Sequence, residues 1–264
     1  MNPQLEWGIL LPALLAGLLV LASHVPLGMR VLERGIIFID IAIAQFAGLG
    51  VILANFLDWQ GGWRTQAAAL GLAAVGALVL HASERRWPRR QEAIIGVAFV
   101  LVSSLAILFL AHDAHGGEHL REMLVGQILW TGWNDLPPLA LASGLVLAAW
   151  YSGLRRSALG FYLLFALAIT ASVQVVGVYL VFASLIVPAL AVGERPNEGT
   201  EEEADGFAET PSPRILRAYA IGAAGYILGL AASAWLDLPA GAAIVVALVA
   251  VAMPFMFMEK ARHV

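Results

Sequence analysis

The sequence predicts an all-α, polytopic membrane protein. Two patterns predict it: uncharged apolar stretches of bilayer length, and basic residues confined to alternate loops between them. A span needs roughly 20 predominantly apolar residues at about 1.5 Å of rise each. Such stretches run over 8–29, 35–57, 65–83, 93–111, 136–154, 218–236 and 238–258. Residues 157–193 carry no formal charge. As one helix they would extend about 55 Å against a core of about 30 Å, so they are read as two short passes turning near 174–177. The total is eight to nine transmembrane helices in a single transmembrane domain over 1–264.

Composition agrees. With 60% apolar and 13% charged residues and a mean hydropathy of +0.81, too little polar surface remains to cover a soluble globule of this length. The net charge of −4 sits mostly in one loop and implies no nucleic-acid partner. The absence of cysteine removes disulfides, thiolate metal sites and cysteine nucleophiles together.

Orientation follows from Lys and Arg, which mark the cytoplasmic side. Of the 15 basic residues all but Arg64 and Arg121 fall in one set of alternating loops or tails. Arg30 and Arg34 follow the first span, Arg85, Arg86, Arg89 and Arg90 the third, and Arg155 and Arg156 the fifth. Arg195, Arg214 and Arg217 precede the penultimate span, and Lys260 and Arg262 close the chain. Nine spans with an outside N-terminus and a cytoplasmic C-terminus satisfy this pattern. Eight spans and one re-entrant segment place the same residues on the same sides. The first stretch lacks a basic start and leads straight into further spans, so it is not read as a cleavable signal peptide.

The loop at 193–213 is acidic, with Glu194, Glu198, Glu201, Glu202, Glu203, Asp205 and Glu209. Its composition cannot bury enough apolar area to offset chain entropy, so it reads as a disordered cytoplasmic tether.

Polar residues inside the spans are the candidates for function. Asp40 lies four residues past the basic turn that opens the second span, with Gln45 beyond it. An intramembrane carboxylate costs about 2.5–3.5 kcal/mol on insertion scales and so faces a partner or a watery path. Two readings follow: Asp40 pairs at the interface with Arg34 or Arg30, or it is a hard oxygen ligand for a divalent cation. The outer loop after the fourth span holds His112, His115, His119, Asp113, Glu118 and Glu122, enough nitrogen and oxygen donors for a metal-capture site. The flexible Gly116-Gly117 pair also suits a plain hydrophilic loop. His115 to His119 spells HxxEH, the order of inverted zinc peptidases. That chemistry needs a rigid helical face, which Gly-Gly opposes. His24 and His81 read as satisfied or interfacial residues, and Trp59, Trp63, Trp87, Trp130 and Trp133 as an aromatic belt at span ends.

In the segment Val176-Gly177-Val178-Tyr179-Leu180-Val181-Phe182-Ala183-Ser184-Leu185-Ile186-Val187-Pro188-Ala189-Leu190-Ala191, Pro188 lacks an amide hydrogen and crowds the Ser184 carbonyl. A helix broken at Gly177, Ser184 and Pro188 is expected to line a moving pathway. The segment resembles the VGxxLVxAxLIxPAxA signature of membrane subunits from zinc/manganese-type metal ABC transporters. Pro26-Leu27-Gly28, Phe38-Ile39-Asp40, Glu92-Ala93-Ile94-Ile95-Gly96, Met123-Leu124-Val125-Gly126 and Asp237-Leu238-Pro239-Ala240-Gly241 are similar to that family in order and spacing.

The resemblance implies an inner-membrane permease working as a homodimer with ABC ATPase subunits on the cytoplasmic face and an extracytoplasmic metal-binding protein. The transported ion would be zinc or manganese, with no cofactor bound permanently. Arg30, Arg34, Arg155 and Arg156 would then meet the ATPase. The chain itself has no GxxxxGK[ST] loop, and its one lysine is Lys260, so it is not read as an enzyme: ATP hydrolysis falls to a partner. Two departures stand out. The family's His four residues after the span-two Asp is Ala44 here, and the connection after the fifth span is little more than Arg155-Arg156-Ser157-Ala158-Leu159-Gly160. A non-transporting membrane scaffold is therefore the alternative function.

Overall fold

The computed structural model describes residues 3–59, 62–111, 117, 124–193 and 213–260, the side chains of 3–7, 259 and 260 apart. Among them nine α-helices follow one another and no strand occurs. They are α1 (Pro3–Arg34), α2 (Ile39–Phe56), α3 (Trp63–Arg86), α4 (Gln91–Leu110), α5 (Leu136–Tyr151), α6 (Ala158–Val176), α7 (Val178–Ala191), α8 (Pro213–Leu236) and α9 (Ala240–Lys260). Seven are long and apolar enough to cross a bilayer; α5 and α7, with 16 and 14 residues, are shorter. The charge-free stretch divides at Gly177, as its length required.

The core is formed by α1, α2, α6 and α7, with α3 packed on α2 and α6, and α4 on α2. On the other side α8 and α9 pack on each other, α8 reaching α1 and α9 reaching α7. Burial separates centre from rim: 67% of the apolar window of α2 and of α6 is buried, against 17% for α4 and 22% for α9. The two rim helices therefore present most of their apolar surface outward, which suits lipid as solvent.

Between lipid-embedded helices no hydrophobic force drives association, so close packing must hold them. The chain uses glycine for this at family-like positions. A Cβ on Gly28 of α1 would stand 1.9 Å from the Leu185 carbonyl oxygen of α7. Between helices the same device fixes a loop: a Cβ on Gly126 would lie 2.2 Å from the Val176 oxygen, and one on Gly177 would lie 2.3 Å from the Gly126 nitrogen. Both glycines have positive φ, +71° and +79°. Gly241 also abuts the Val125 carbonyl, where a Cβ would stand at 2.6 Å. Three motifs far apart in sequence thus meet at one node.

These contacts sort the loops into two faces. At one, the Arg34 guanidinium lies 3.6 Å from Glu84 and 4.4 Å over the Phe161 ring, bringing together the end of α1, the end of α3 and the start of α6. On the same set of loops, Arg214 donates to the Gly193 carbonyl. The opposite face gathers the 125–126 segment, the α6–α7 break and the α8–α9 turn. The alternation of basic residues is thereby reproduced by tertiary contacts, and the basic face corresponds to the side read as cytoplasmic. Trp59, Trp63, Trp87, Trp130 and Trp133 are all exposed near helix ends, as an aromatic belt requires.

One expectation about helix breaks is corrected. The interruption is confined to Gly177; α7 continues through Ser184 and Pro188 as one helix. Ser184 Oγ donates to the Leu180 carbonyl at 2.6 Å and contacts Tyr226 Oη of α8 at 2.8 Å. The hydroxyls and the packing of α8 hold the turn that proline would otherwise loosen.

Candidate functional site

A cavity of about 700 Å³ opens on the face opposite the basic loops. Its walls come from the start of α3, the start of α5, the outer half of α6 and the segment 127–135. Gln66 and Gln174 bridge α3 and α6 there by reciprocal amide hydrogen bonds of 2.7 and 3.1 Å. Gln127, Thr131 and Asp135 supply further polar lining; Asp135 Oδ2 accepts from the Gly132 amide at 2.8 Å, which fixes its turn. Thr170, 3% exposed, also lines the cavity, and its hydroxyl has no protein partner. The lining reaches Leu167, nine residues or about 14 Å from the outer end of α6. A polar-rimmed cleft thus extends to the middle of that helix.

Toward the basic face the same helices are closed. Gln91 of α4 donates to the Leu80 carbonyl at 2.9 Å and to Tyr162 Oη at 3.1 Å, and Ser83 Oγ lies 2.8 Å from Gln91 Oε1. This buried network ties α3, α4 and α6 together. Arg34, between Glu84 and Phe161, adds a contact on the same face.

Asp40 lies in the first turn of α2 and is 1% exposed. The expected ion pair with Arg30 or Arg34 does not form: Arg30 pairs with Glu33 at 2.8 Å and Arg34 with Glu84. Neither Asp40 oxygen has a hydrogen-bond partner. Phe38, which precedes α2, stacks on Phe182 at 6.3 Å between ring centroids. Phe182 stands nine residues, about 14 Å of helix, before α7 ends. The start of α2 therefore lies beside α7, with Asp40 buried and Phe38 half exposed. Buried polar groups are normally satisfied, so an unpartnered carboxylate marks a place for water, a proton or a cation.

The structure does not bring Gln45 to Asp40. Gln45 is also buried, at 3% exposure, but five residues of helix turn it about 140° away. Arg155 and Arg156 are exposed on the 3₁₀ turn Leu154–Arg156. Arg30 is partly exposed, whereas Arg34 is turned inward. His112, His115 and His119, and with them the HxxEH run, lie outside the described residues, as do residues 194–212 of the acidic loop. Among the described residues no three His, Asp or Glu side chains gather as a metal site.

His24 is a satisfied core residue, as the sequence suggested. It is fully buried, with Nδ1 2.8 Å from the Val20 carbonyl and Nε2 3.1 Å from Ser172 Oγ of α6. His81 differs: its Nδ1 is buried without a partner, and its ring tilts against Tyr162 at 5.6 Å. Sequence reasoning missed Glu92 as a functional group. Its Oε1 accepts from the Phe38 amide at 3.2 Å and its Oε2 is buried without a partner. An acidic residue in the first turn of a span was the available signal. Gln66 and Gln174 were legible only as neutral polar residues near span ends.

A helical bundle with a cleft on one face, a hydrogen-bonded network toward the other and a buried carboxylate without a side-chain partner has the architecture of a membrane transport subunit. The chain belongs to the ABC 3 transport family, whose model matches residues 6–155 and 149–259. It is 25% identical over 258 residues to the high-affinity zinc uptake system membrane protein ZnuB of Haemophilus influenzae, covering 90% of this chain and 93% of that one. The fold is similar to PsaBC from Streptococcus pneumoniae in complex with Fab, at a TM-score of 0.69 and 20% identity over 92% of this chain and 89% of the other. It is also similar to an inward-facing conformation of a metal-chelate type ABC transporter, at a TM-score of 0.63 and 16% identity over 99% and 90%.

Proposed function

We propose that this chain is the membrane-spanning subunit of an importer that moves a divalent metal ion, zinc or manganese, across the inner membrane. The observation that carries the proposal is the cleft opening away from the basic face and reaching mid-helix, in a chain of the ABC 3 transport family. The ion is cargo; no permanently bound cofactor is invoked. An extracytoplasmic metal-binding protein would deliver it to the cleft, and two copies of the chain would enclose the path between them. Separate ATPase subunits would supply the energy, since the chain carries no phosphate-binding loop. Arg30, Arg155 and Arg156, whose side chains are at least partly exposed, would meet those subunits.

Asp40 is proposed as a ligand on the path, because a buried carboxylate with no side-chain partner is stable as the neutral acid or beside a cation. In the mechanism, ATP binding by the partner shifts the bundle from cleft-open to inward-open packing. The Gln91, Tyr162 and Ser83 network and the Arg34–Glu84 contact must then part. Reconstitution with the ATPase and the metal-binding protein tests this: metal should stimulate hydrolysis and enter the vesicles. Asp40→Ala should abolish uptake while dimer formation persists. Unchanged uptake in that variant would remove Asp40 from the path.

One observation favours the scaffold alternative. Between α5 and α6 only a 3₁₀ turn, Leu154–Arg156, precedes the cap in which Ser157 Oγ accepts from the Gly160 amide at 3.2 Å. That leaves no separate coupling helix in this connection. A scaffold would neither co-purify with an ATPase nor stimulate hydrolysis.

A further inference from the structure

We propose that Glu92 supplies the second carboxylate of a divalent-cation site with Asp40, an all-oxygen site that favours manganese over zinc. The inference rests on the reading of Asp40 as a path ligand and extends it to a residue on another helix.

Placement comes first. Glu92 is in the first turn of α4, and its Oε1 accepts the amide of Phe38, the residue that precedes α2. That bond pins the carboxylate at the start of α2, where Asp40 occupies the second helical position. Three of their four oxygens, both of Asp40 and Oε2 of Glu92, are buried with no protein partner.

Charge comes second. The positive ends of α2 and α4 contribute about half an elementary charge each, which together offset about one of the two carboxylates. Arg34 is directed to Glu84, at 3.6 Å, and to the Phe161 ring rather than to Asp40. Arg30 is engaged with Glu33. What remains is balanced by a cation or by a proton held on the pair.

Donor type comes third. Two carboxylates are hard oxygen donors, and Ala44 offers no nitrogen one turn along. Oxygen-rich sites suit manganese, whereas zinc gains most from imidazole and thiolate.

The test uses the full-length chain with its ATPase subunits in lipid nanodiscs. Mn²⁺ binding is read by electron paramagnetic resonance and Zn²⁺ by competition. Wild type should bind one Mn²⁺ per chain in preference to Zn²⁺. Glu92→Gln retains an oxygen to accept the Phe38 amide, so the helix start is kept; Mn²⁺ affinity should fall about 10- to 100-fold, the range seen when the surroundings of a metal site are disrupted. Glu92→Asp, which keeps the charge at shorter reach, should fall between the two and provides the check if the Gln variant does not fold. Asp40→Asn should lose the site. If Glu92→Gln or Glu92→Asp binds Mn²⁺ as wild type does while Asp40→Asn does not, the Glu92 inference fails and the role of Asp40 stands. If Asp40→Asn also binds normally, both readings fail. A wild-type protein that binds no Mn²⁺ and shows a protonated carboxyl band in the infrared, lost in Glu92→Gln, would mean that the pair shares a proton instead.

Discussion

The α-carbon of Gly28 faces the carbonyl of Leu185 so closely that a methyl group there would stand 1.9 Å from the oxygen. This contact locks α1 to α7 along the centre of the bundle, and backbone rather than a flexible side chain is what blocks the added carbon. Gly28→Ala should therefore destabilise the protein by about 1–3 kcal/mol, the usual cost of overpacking. Gly71→Ala, which meets nothing within 4 Å, is the control. Thermal unfolding followed by size-exclusion fluorescence should separate the two, and equal melting temperatures would show that α1 and α7 can part without cost.

Gly177 combines a close contact with a backbone conformation, φ +79° and ψ 162°, that is essentially confined to glycine and costs other residues about 1–3 kcal/mol. Gly177→Ala should be worse than Gly28→Ala, because strain adds to the clash with Gly126. A melting temperature above that of Gly28→Ala would contradict this ranking.

The Gln66–Gln174 pair lies across the outer cavity, and the chain has no native cysteine to interfere with labelling. Gln66→Cys with Gln174→Cys should be joined by a short bis-methanethiosulfonate linker. Uptake should stop on linking and return on reduction if α3 and α6 move apart during transport. Full transport by the linked protein would mean that the cavity walls stay fixed.

His24 tests the difference between a core histidine and a ligand. His24→Leu removes hydrogen bonds to Val20 and Ser172 in a fully buried setting, so stability should drop by roughly 1–3 kcal/mol. Mn²⁺ affinity measured on the folded fraction should not change. A selective loss of metal binding would reassign the residue to the path.

The basic residues divide in the same manner. Arg155→Glu with Arg156→Glu should weaken ATPase co-purification and leave the melting temperature near wild type, because both side chains are exposed. Arg34→Ala should do the reverse, since that guanidinium is tied to Glu84 and Phe161 inside the bundle.

Much of the architecture was legible in the order of residues. Span lengths follow from helix rise against bilayer thickness, and the division of 157–193 followed from arithmetic alone. The site was legible only in part. Asp40 stood out because a charge in a span is rare, but its expected partners, Arg30 and Arg34, were the nearest in sequence and turned out to be engaged elsewhere. Glu92 was visible as part of a motif opening the fourth span. Its position beside Asp40 depends on the packing of α4 against α2, which spacing along the chain does not encode. The helix through Pro188 misled for a similar reason: proline weakens an isolated turn, and the support that Tyr226 lends to Ser184 comes from a helix about 40 residues away.

The sequence by itself determined that the chain is helical, that it passes the bilayer eight or nine times and which loops share a side. Those properties come from local hydropathy, helix rise and the distribution of Arg and Lys, each a sum over neighbours in the chain. Tertiary structure decided which polar groups are paired and which are left open: Arg34 to Glu84, His24 to Ser172, Gln66 to Gln174, and Asp40 with none. Inside lipid, backbone hydrogen bonds are satisfied within each helix. The choice of neighbours therefore rests on close packing and on partners for the few buried polar atoms, and both arise between helices rather than along them.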